Sequence, residues 1–577
     1  MLAIIPNEQR LKRRAKRACD ECHSRRVKCS GQAPCTECHE IDIECTYIRP
    51  RHKRGGASVK QKNKYIYRRR LKATERATAA SRTTIPSILN QPRMSFSPIG
   101  SWVDISDSRY PILMPVLASL KGIVTASTAC DMLDTYFSRS AWGNSFLVRK
   151  YSFLATETTK MRKTKPTLIY AILCFASQHH VSTRGEILEA GRGNVTDRLF
   201  ELAASSVVSF HKLEDEALLD DVISHIQLAS ILSSSKYQKK SIEWWSATYQ
   251  LARQLRLNEE QKLAISAEEK EERRRTWWLL YCVDRHQALS VRKSLSFRDA
   301  ECHELLHPCD DKLWNGADDF SPPASGISGI TYCVTDCSFF GFFLPLMSTL
   351  GEIIELYNIQ ESGQSADIEP KRVMIRHHLD SYDLSLSECT YDSYEARLYK
   401  CYARHTVSTL HILSAGKWDP LDVLTDVEES GLSQDLIYSA AMATIAANTI
   451  KEIQLLDAEF DYMPLLFGAF ILQCSFPLLL LMKTFGTQSD ENIIGGCEII
   501  MEADTIFSRC NERMVQNPFW SNPYWDSFAS IIDKIKESKR QSRSPDVAFQ
   551  TMQDIHTKTR DILGLYRWNK TGHGLNT

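Results

Sequence analysis

Six of the chain's 18 cysteines fall within residues 19–45, in the stretch CDECHSRRVKCSGQAPCTECHEIDIEC. Their spacing is Cys19-x2-Cys22-x6-Cys29-x5-Cys35-x2-Cys38-x6-Cys45, and the second triplet repeats the first with a shift of 16 residues. Thiols at this density in a reducing compartment are best read as metal ligands. Tetrahedral zinc takes four thiolates at about 2.3 Å. Two zinc ions need eight ligand positions, and the six sulfurs fill them when two thiolates each bridge both ions. Such a cluster holds together a segment far too short to build a hydrophobic core.

Two rival chemistries use the same residues. Each CxxC is followed by a histidine, His23 or His39, as in covalent haem attachment. That chemistry goes with export, leaves Cys29 and Cys45 idle and gives no reason for the repeat. A disulfide knot needs an oxidising compartment. The stretch MLAIIPNEQRLKRRAKRACD lacks the apolar core and the small-residue cleavage site of a secretory signal, so the thiols are expected to stay reduced. Metal ligation is the expected chemistry.

The two halves of the cluster differ in charge. HSRRVK, between Cys22 and Cys29, carries Arg25, Arg26 and Lys28, whereas HEIDIE, between Cys38 and Cys45, carries Glu40, Asp42 and Glu44. Only the first half suits a surface of phosphates and guanine edges, where Arg and Lys donate to O6 and N7. RLKRRAKR, with Arg13, Arg14, Lys16 and Arg17, precedes the cluster; residues 49–76, with Lys53 and Arg54, add 12 Lys+Arg against one acid. These runs are expected to bind phosphates and to serve as nuclear-import signals. Residues 1–76 hold 21 Lys+Arg against 8 Asp+Glu, a net of +13, so the remaining 501 residues carry −12. A short basic head on a mildly acidic body points to a polyanion-binding module joined to something that is not one.

With this spacing and this division of charge, residues 19–45 resemble the fungal six-cysteine binuclear zinc cluster of the galactose-regulator type. The resemblance implies two zinc ions sharing the six cysteine thiolates, with Cys19 and Cys35 as the bridging ligands. It also implies a short helix after each CxxC, the first lying in the major groove of double-stranded DNA over a GC-rich triplet such as CGG or GGC. The family's base-reading basic pair falls on Arg25 and Arg26, and Lys28 matches a supporting basic position. Lysine is commoner in the family where Arg26 stands; arginine can bind guanine with two hydrogen bonds, which admits a shifted or altered triplet.

The rest of the chain must carry and control this module. Residues 46–125 are basic and then rich in Ser, Thr and Pro, as a flexible linker is. Within them YIYRRRLKATERATAA has no sustained apolar heptads, so no coiled-coil dimerisation helix is expected there. From 126 to 530 one helical pattern follows another. SIEWWSATYQLARQLRL puts Ile242, Trp245, Tyr249 and Ala252 on one face, and AEEKEERRRTWWLLYCVDRHQALS turns from charged to apolar all round. LIYSAAMATIAANTIKEIQLL is a further strong helix. PLLFGAFILQCSFPLLLLM is uncharged for 19 residues, near the length of a membrane span. Gln473 and Pro477 interrupt it and no other segment resembles a span, so a buried core helix or broken helix pair is expected, with no membrane partner. The expected fold is a small zinc-held module with two short helices, a flexible linker and a large all-α domain at 126–530. A basic arm (1–18) precedes these and a polar tail (531–577) follows.

RRRTWWLLYCVDRH and DAECHELLHPCDDKLW resemble the most recognisable helix and the acidic continuation of the fungal-specific regulatory domain found downstream of such clusters. YMPLLFGAFILQCSFPLLLLM and RHKRGGASVKQK resemble the xylanolytic transcriptional activators within that family. The linker is shorter than in those activators, which leaves the regulon open between xylan, other saccharides and a metabolite gene cluster.

Other constellations weigh less. Cys302, His303, His307 and Cys309 in CHELLHPC are near enough in sequence for another zinc site, but a loop without metal is the better expectation. EERRR (271–275) reads as a solvated or intradomain face rather than a DNA patch, and LEDEALLDD (213–221) as an exposed turn rather than an activation segment. Trp244/Trp245 and Trp277/Trp278 read as core rather than as an inducer pocket. No phosphate-binding glycine loop, nucleophile elbow or HExxH is present, so no enzyme is expected. The expected protein is a nuclear, sequence-specific transcription activator of RNA polymerase II genes. One cluster touches few base pairs, so a homodimer or neighbouring sites are needed; the transcription machinery and a small-molecule inducer are its further expected partners. The alternatives are a repressor of the same build or a nuclear scaffold whose zinc module binds protein. A scaffold has no need of one basic and one acidic half.

Overall fold

In the computed structural model the described residues are 109–564 with short interruptions, and in the head 19, 20, 22, 29, 30, 32, 34–40, 45 and 46. The chain divides into two units, Met1–Gly100 and Ser101–Thr577. Among the described residues the regular elements of the second unit are helices, apart from one isolated β-bridge between Leu306 and Ser328.

Helices α1 (Ala126–Ser138), α2 (Pro166–Ser177), α3 (Val195–Ser206), α4 (Leu219–Ser233) and α5 (Gln238–Gln254) pack around α2 and α4. The long α6 (Ala267–Val291) touches α4 as well as α7 (Phe339–Glu361), joining this group to the next. There α8 (Ile368–Glu388), α9 (Tyr394–Ala415), α10 (Pro420–Ser430), α11 (Gln434–Leu456), α12 (Phe467–Phe485) and α13 (Glu491–Met514) follow, with α9 against α11 the most extensive pairing. Finally α14 (Pro523–Arg540) packs on α13, and α15 (Pro545–Gly564) packs on α10, α12 and α14. Local signals start several of these helices. Ser393 accepts from the Ala396 amide at 3.1 Å before α9, and Ser433 accepts from the Leu436 amide at 3.1 Å before α11. Each such cap contributes about 1 kcal/mol. Ala443, Ala446 and Ala447 are fully buried on α11, so small side chains let its backbone come close to its neighbours.

Buried ion pairs tie the two groups together. Arg275 of α6 is fully buried; it bonds Glu271 at 2.9 Å, Asp311 at 2.8 Å and the Cys309 carbonyl at 2.6 Å. Asp311 in turn accepts from the Phe339 amide at 3.0 Å, the first residue of α7. Arg162 reaches Asp220 at 2.6 Å and Glu272 at 2.8 Å, linking the lead-in to α2 with α4 and α6. Removing one member of such a set strands its partner's charge away from water, which costs about 3–5 kcal/mol. EERRR is therefore an intradomain face rather than a solvated one. Of LEDEALLDD, residues 213–217 lie outside the described residues; Leu218 is exposed as expected, but Asp220 and Asp221 are buried at the start of α4, where Asp221 pairs with Lys165 at 2.7 Å.

The entry to α7 is built by a proline and a glycine. Pro345 has no amide to give the carbonyl four residues back, and that Gly341 carbonyl accepts from Thr335 at 3.3 Å instead. The loop lies so close that a Cβ on Gly341 would sit 2.2 Å from Asp336 Oδ1 and 2.4 Å from its carbonyl. Ser338 caps the helix by accepting from the Gly341 amide at 3.2 Å.

Four expectations are corrected. Ile242 is exposed while Trp245, Tyr249 and Ala252 are buried, because the apolar stripe of α5 is narrower than the sequence pattern. Order in the body begins before 126: Ile112, Leu113, Val116, Leu117 and Leu120 join the core, a short helical repeat hidden beside Ser- and Pro-rich sequence. The polar tail holds the end of α14, to Arg540, and α15, to Gly564, where Ile531, Ile532, Ile535, Ile555 and Leu563 are buried beneath a charged exterior. Among the described residues two helices, not one, are long and apolar enough to cross a membrane, α7 and α12, and both are mostly buried in the body. The remainder of the linker lies outside the described residues.

His405 sits fully buried on α9, and its Nδ1 pairs with the Ala446 carbonyl of α11 at 3.1 Å. Burial pulls its pKa down to about 4. A histidine whose folded pKa lies below its unfolded value favours folding when neutral, and that contribution is lost as pH falls from about 6.5 toward about 4. Urea unfolding followed by helical circular dichroism should show this loss, on the order of 3 kcal/mol at pH 4. A His405→Gln variant should lose less stability over the same interval than the parent chain; an equal loss would remove His405 as its source.

Candidate metal centre

The first unit is organised around sulfur. Cys19, Cys22, Cys29, Cys35 and Cys38 are buried and Cys45 is partly so, with no larger apolar core around them among the described residues. Two sets of four sulfurs form, Cys19, Cys22, Cys29 and Cys35 in one and Cys19, Cys35, Cys38 and Cys45 in the other, each with all its atoms within 4.8 Å of one another. The sets share Cys19 and Cys35. This is the arrangement that two ions with two bridging thiolates require. Cys19 and Cys35 lie 3.6 Å apart and Cys22 and Cys35 3.5 Å apart, against about 3.8 Å for the edge of a zinc–thiolate tetrahedron and about 2.05 Å for a disulfide. The donor set therefore fits two zinc ions and does not fit a disulfide knot. Bound zinc would supply the cross-link that a segment without a core lacks.

The backbone repeats with the sulfurs. The Cys19 amide donates to Cys29 Sγ at 3.4 Å, and 16 residues on the Cys35 amide donates to Cys45 Sγ at 3.2 Å. Desolvation and neighbouring sulfurs push up the Cys22 and Cys38 thiols, Cys38 to about 12. Against desolvation, the amides of Cys22 and Cys38 draw the Cys19 and Cys35 thiols down. The second short helix is present as Thr36–Glu40, where the His39 amide donates to the Cys35 carbonyl at 3.0 Å. The module's ends are pinned by Asp20 and Thr46, whose backbones bond at 2.8 Å and side chains at 3.2 Å.

Arg25, Arg26 and Lys28, like Arg13, Arg14, Lys16, Arg17, Lys53 and Arg54, lie outside the described residues. In the body, CHELLHPC does not assemble a metal site: His303 pairs with the Ala300 carbonyl at 3.0 Å and His307 with that of Gly329 at 2.7 Å. Cys302 Sγ faces the Asp299 carbonyl and Cys309 Sγ lies beside Arg275. Trp277 and Trp278 are fully buried, and Trp278 donates to the Leu306 carbonyl at 2.8 Å, so they are core. The body's buried charge network has one local signal in the sequence, charged residues set beside WW at the head of an apolar helix.

A shared ligand serves both ions and a terminal ligand serves one. Cys19→Ser should therefore lower zinc content from two ions to below one per chain, whereas Cys29→Ser should lose about one. Metal analysis of the purified full chain decides this; a Cys19→Ser protein that keeps two ions would exclude the bridging role.

Comparison with known proteins agrees with this geometry. Residues 17–54 match the fungal Zn(2)-Cys(6) binuclear cluster domain, and residues 133–384 match the fungal specific transcription factor domain. The chain is 28% identical to a xylanolytic transcriptional activator of Aspergillus niger over 85% of its own length and 63% of the relative's. Identity to the same-named activator of Emericella nidulans is also 28%, covering 85% of this chain and 66% of that one. The chain thus matches less than two thirds of the length of these curated relatives. With two four-sulfur sites sharing Cys19 and Cys35 and both domains matched, the chain belongs to the fungal binuclear zinc cluster transcription factors.

Proposed function

We propose that the protein is a DNA-binding transcription activator acting in the nucleus, and that the genes it controls serve carbohydrate use of the xylan type. The observation that carries the DNA-binding reading is a pair of four-sulfur sites sharing Cys19 and Cys35, within a sequence that has one basic and one acidic half. Zinc fixes the Cys22–Cys29 segment, so that Arg25 and Arg26 meet guanine edges of a CGG or GGC triplet while Lys28 supports the contact. Arg13, Arg14, Lys16, Arg17, Lys53 and Arg54 neutralise phosphates, supplying affinity that falls with salt. The acidic half faces away from the duplex. A second copy of the chain, or a neighbouring site, supplies the base pairs that one cluster does not reach. The helical body takes the signal, a small-molecule inducer or a partner of the transcription machinery. The xylan assignment is supported by the names of the relatives and by similarity over most of this chain.

Selection of random duplexes by the zinc-loaded chain at physiological salt should enrich a CGG- or GGC-containing core, and the number of cores per site reports the binding stoichiometry. Recovery of DNA with no shared core would favour a protein-binding module instead. On a selected site, Arg26→Ala should relax base preference at one position by about 1–3 kcal/mol and change the salt slope little. Neutralising Lys53 and Arg54 should reduce the slope by about one per lost contact and leave base preference intact. Equal effects of both changes on preference and slope would remove this division of roles.

A further inference from the structure

Most described cysteines of the body are buried, as Cys174, Cys282, Cys474 and Cys497 are. Cys337 and Cys389 differ. Cys337 lies in the loop that enters α7 and Cys389 directly follows α8, 52 residues apart in sequence, yet their sulfurs are 3.1 Å apart. Both residues are partly exposed. A disulfide has its sulfurs about 2.05 Å apart, so bond formation asks for a movement of about 1 Å. The surroundings hold both partners near this position. Cys337 Sγ lies 3.2 Å from the Thr390 carbonyl, and Lys400 bonds the Cys389 carbonyl at 2.8 Å. The Cys337 loop is itself fastened to α7 through Thr335 and the Gly341 carbonyl. Cys333, in the same loop, is exposed and faces the Ser381 carbonyl at 3.9 Å.

We propose that Cys337 and Cys389 are a reversible dithiol–disulfide pair in the regulatory body, oxidised by hydroperoxides and reduced by small-molecule thiols. The Cys389 thiolate attacks one peroxide oxygen, the O–O bond breaks, and the departing hydroxide takes a proton to leave as water, giving a sulfenic acid. The Cys337 sulfur then attacks the sulfenic sulfur; its proton and the sulfenic hydroxyl leave as a second water. Two electrons pass from the two thiols to one peroxide. Burial and the adjacent Cys389 thiol push the Cys337 thiol up to about 12, which suits it to react second. The bond would tie the loop at the start of α7 to the end of α8, so these two packed helices could no longer part at that edge. In a reducing compartment such a bond is transient, which makes it a signal rather than a staple.

The test uses the full zinc-loaded chain, reduced and then titrated with hydrogen peroxide, with free thiols alkylated and peptides mapped without reduction. The expected result is a Cys337–Cys389 cross-link at roughly tenfold lower peroxide than zinc release, reversed by dithiothreitol. Cys333→Ser should keep the cross-link and Cys389→Ser should abolish it. The proposal is overturned if both residues stay alkylatable until zinc is lost, or if the cross-link runs through Cys333. Because the parent chain is mapped directly, a variant that fails to fold leaves the outcome decidable.

Discussion

Eight coordination positions served by six sulfurs is the constraint from which the head of this protein follows. Sharing forces the two four-sulfur sets onto a common edge, Cys19 and Cys35, and so brings the two halves of the module together. The repeat in the sequence becomes a repeat in space, visible in the matching amide-to-sulfur bonds from Cys19 to Cys29 and from Cys35 to Cys45. A segment with no hydrophobic core can hold one shape only because metal–thiolate bonds replace that core. Its surface is then free to carry charge for recognition rather than apolar side chains for stability.

The helical body meets the opposite problem. It has apolar surface in plenty, and its specificity of packing is set by charges placed where they have one set of partners. Arg275, Glu271 and Asp311 join α6, the short helical turn Asp311–Trp314 and the first residue of α7, while Arg162 joins α4 and α6. Buried pairs of this kind contribute little net stability against an apolar replacement, but a mismatched alternative leaves a charge unpartnered, which disfavours other packings strongly.

The metal site was legible in the sequence because its chemistry is written as local spacing: CxxC, the 16-residue shift and the charge difference between HSRRVK and HEIDIE need no tertiary information. The all-α body was legible because helical periodicity is local too. What escaped depends on partners distant in sequence. Asp311 is 36 residues from Arg275, and nothing near either residue announces the other. Residues 531–564 read as polar because the exposed face of an amphipathic helix outweighs a buried stripe such as Ile531, Ile532 and Ile535 in a composition count. FFGFFLPLMSTLGEII has a shorter uncharged run than 464–482, because Glu352 and Glu355 of α7 break it, although α7 is as apolar as α12. The pairing of Cys337 with Cys389 spans two whole helices, α7 and α8, and has no sequence signal at all.

The entry to α7 has a consequence for how much change this body tolerates. A carbonyl released by Pro345 is taken up by Thr335, across a gap that admits nothing larger than hydrogen at Gly341. The two residues are complementary halves of one latch: restoring an amide at 345 would compete with the loop for its anchor, and any side chain at 341 would push the loop away. Drift in either position is therefore not correctable by the other. The spacing G-x-x-x-P in GFFLP is a mark by which the same latch can be sought in other helical bodies whose loops are otherwise unrecognisable.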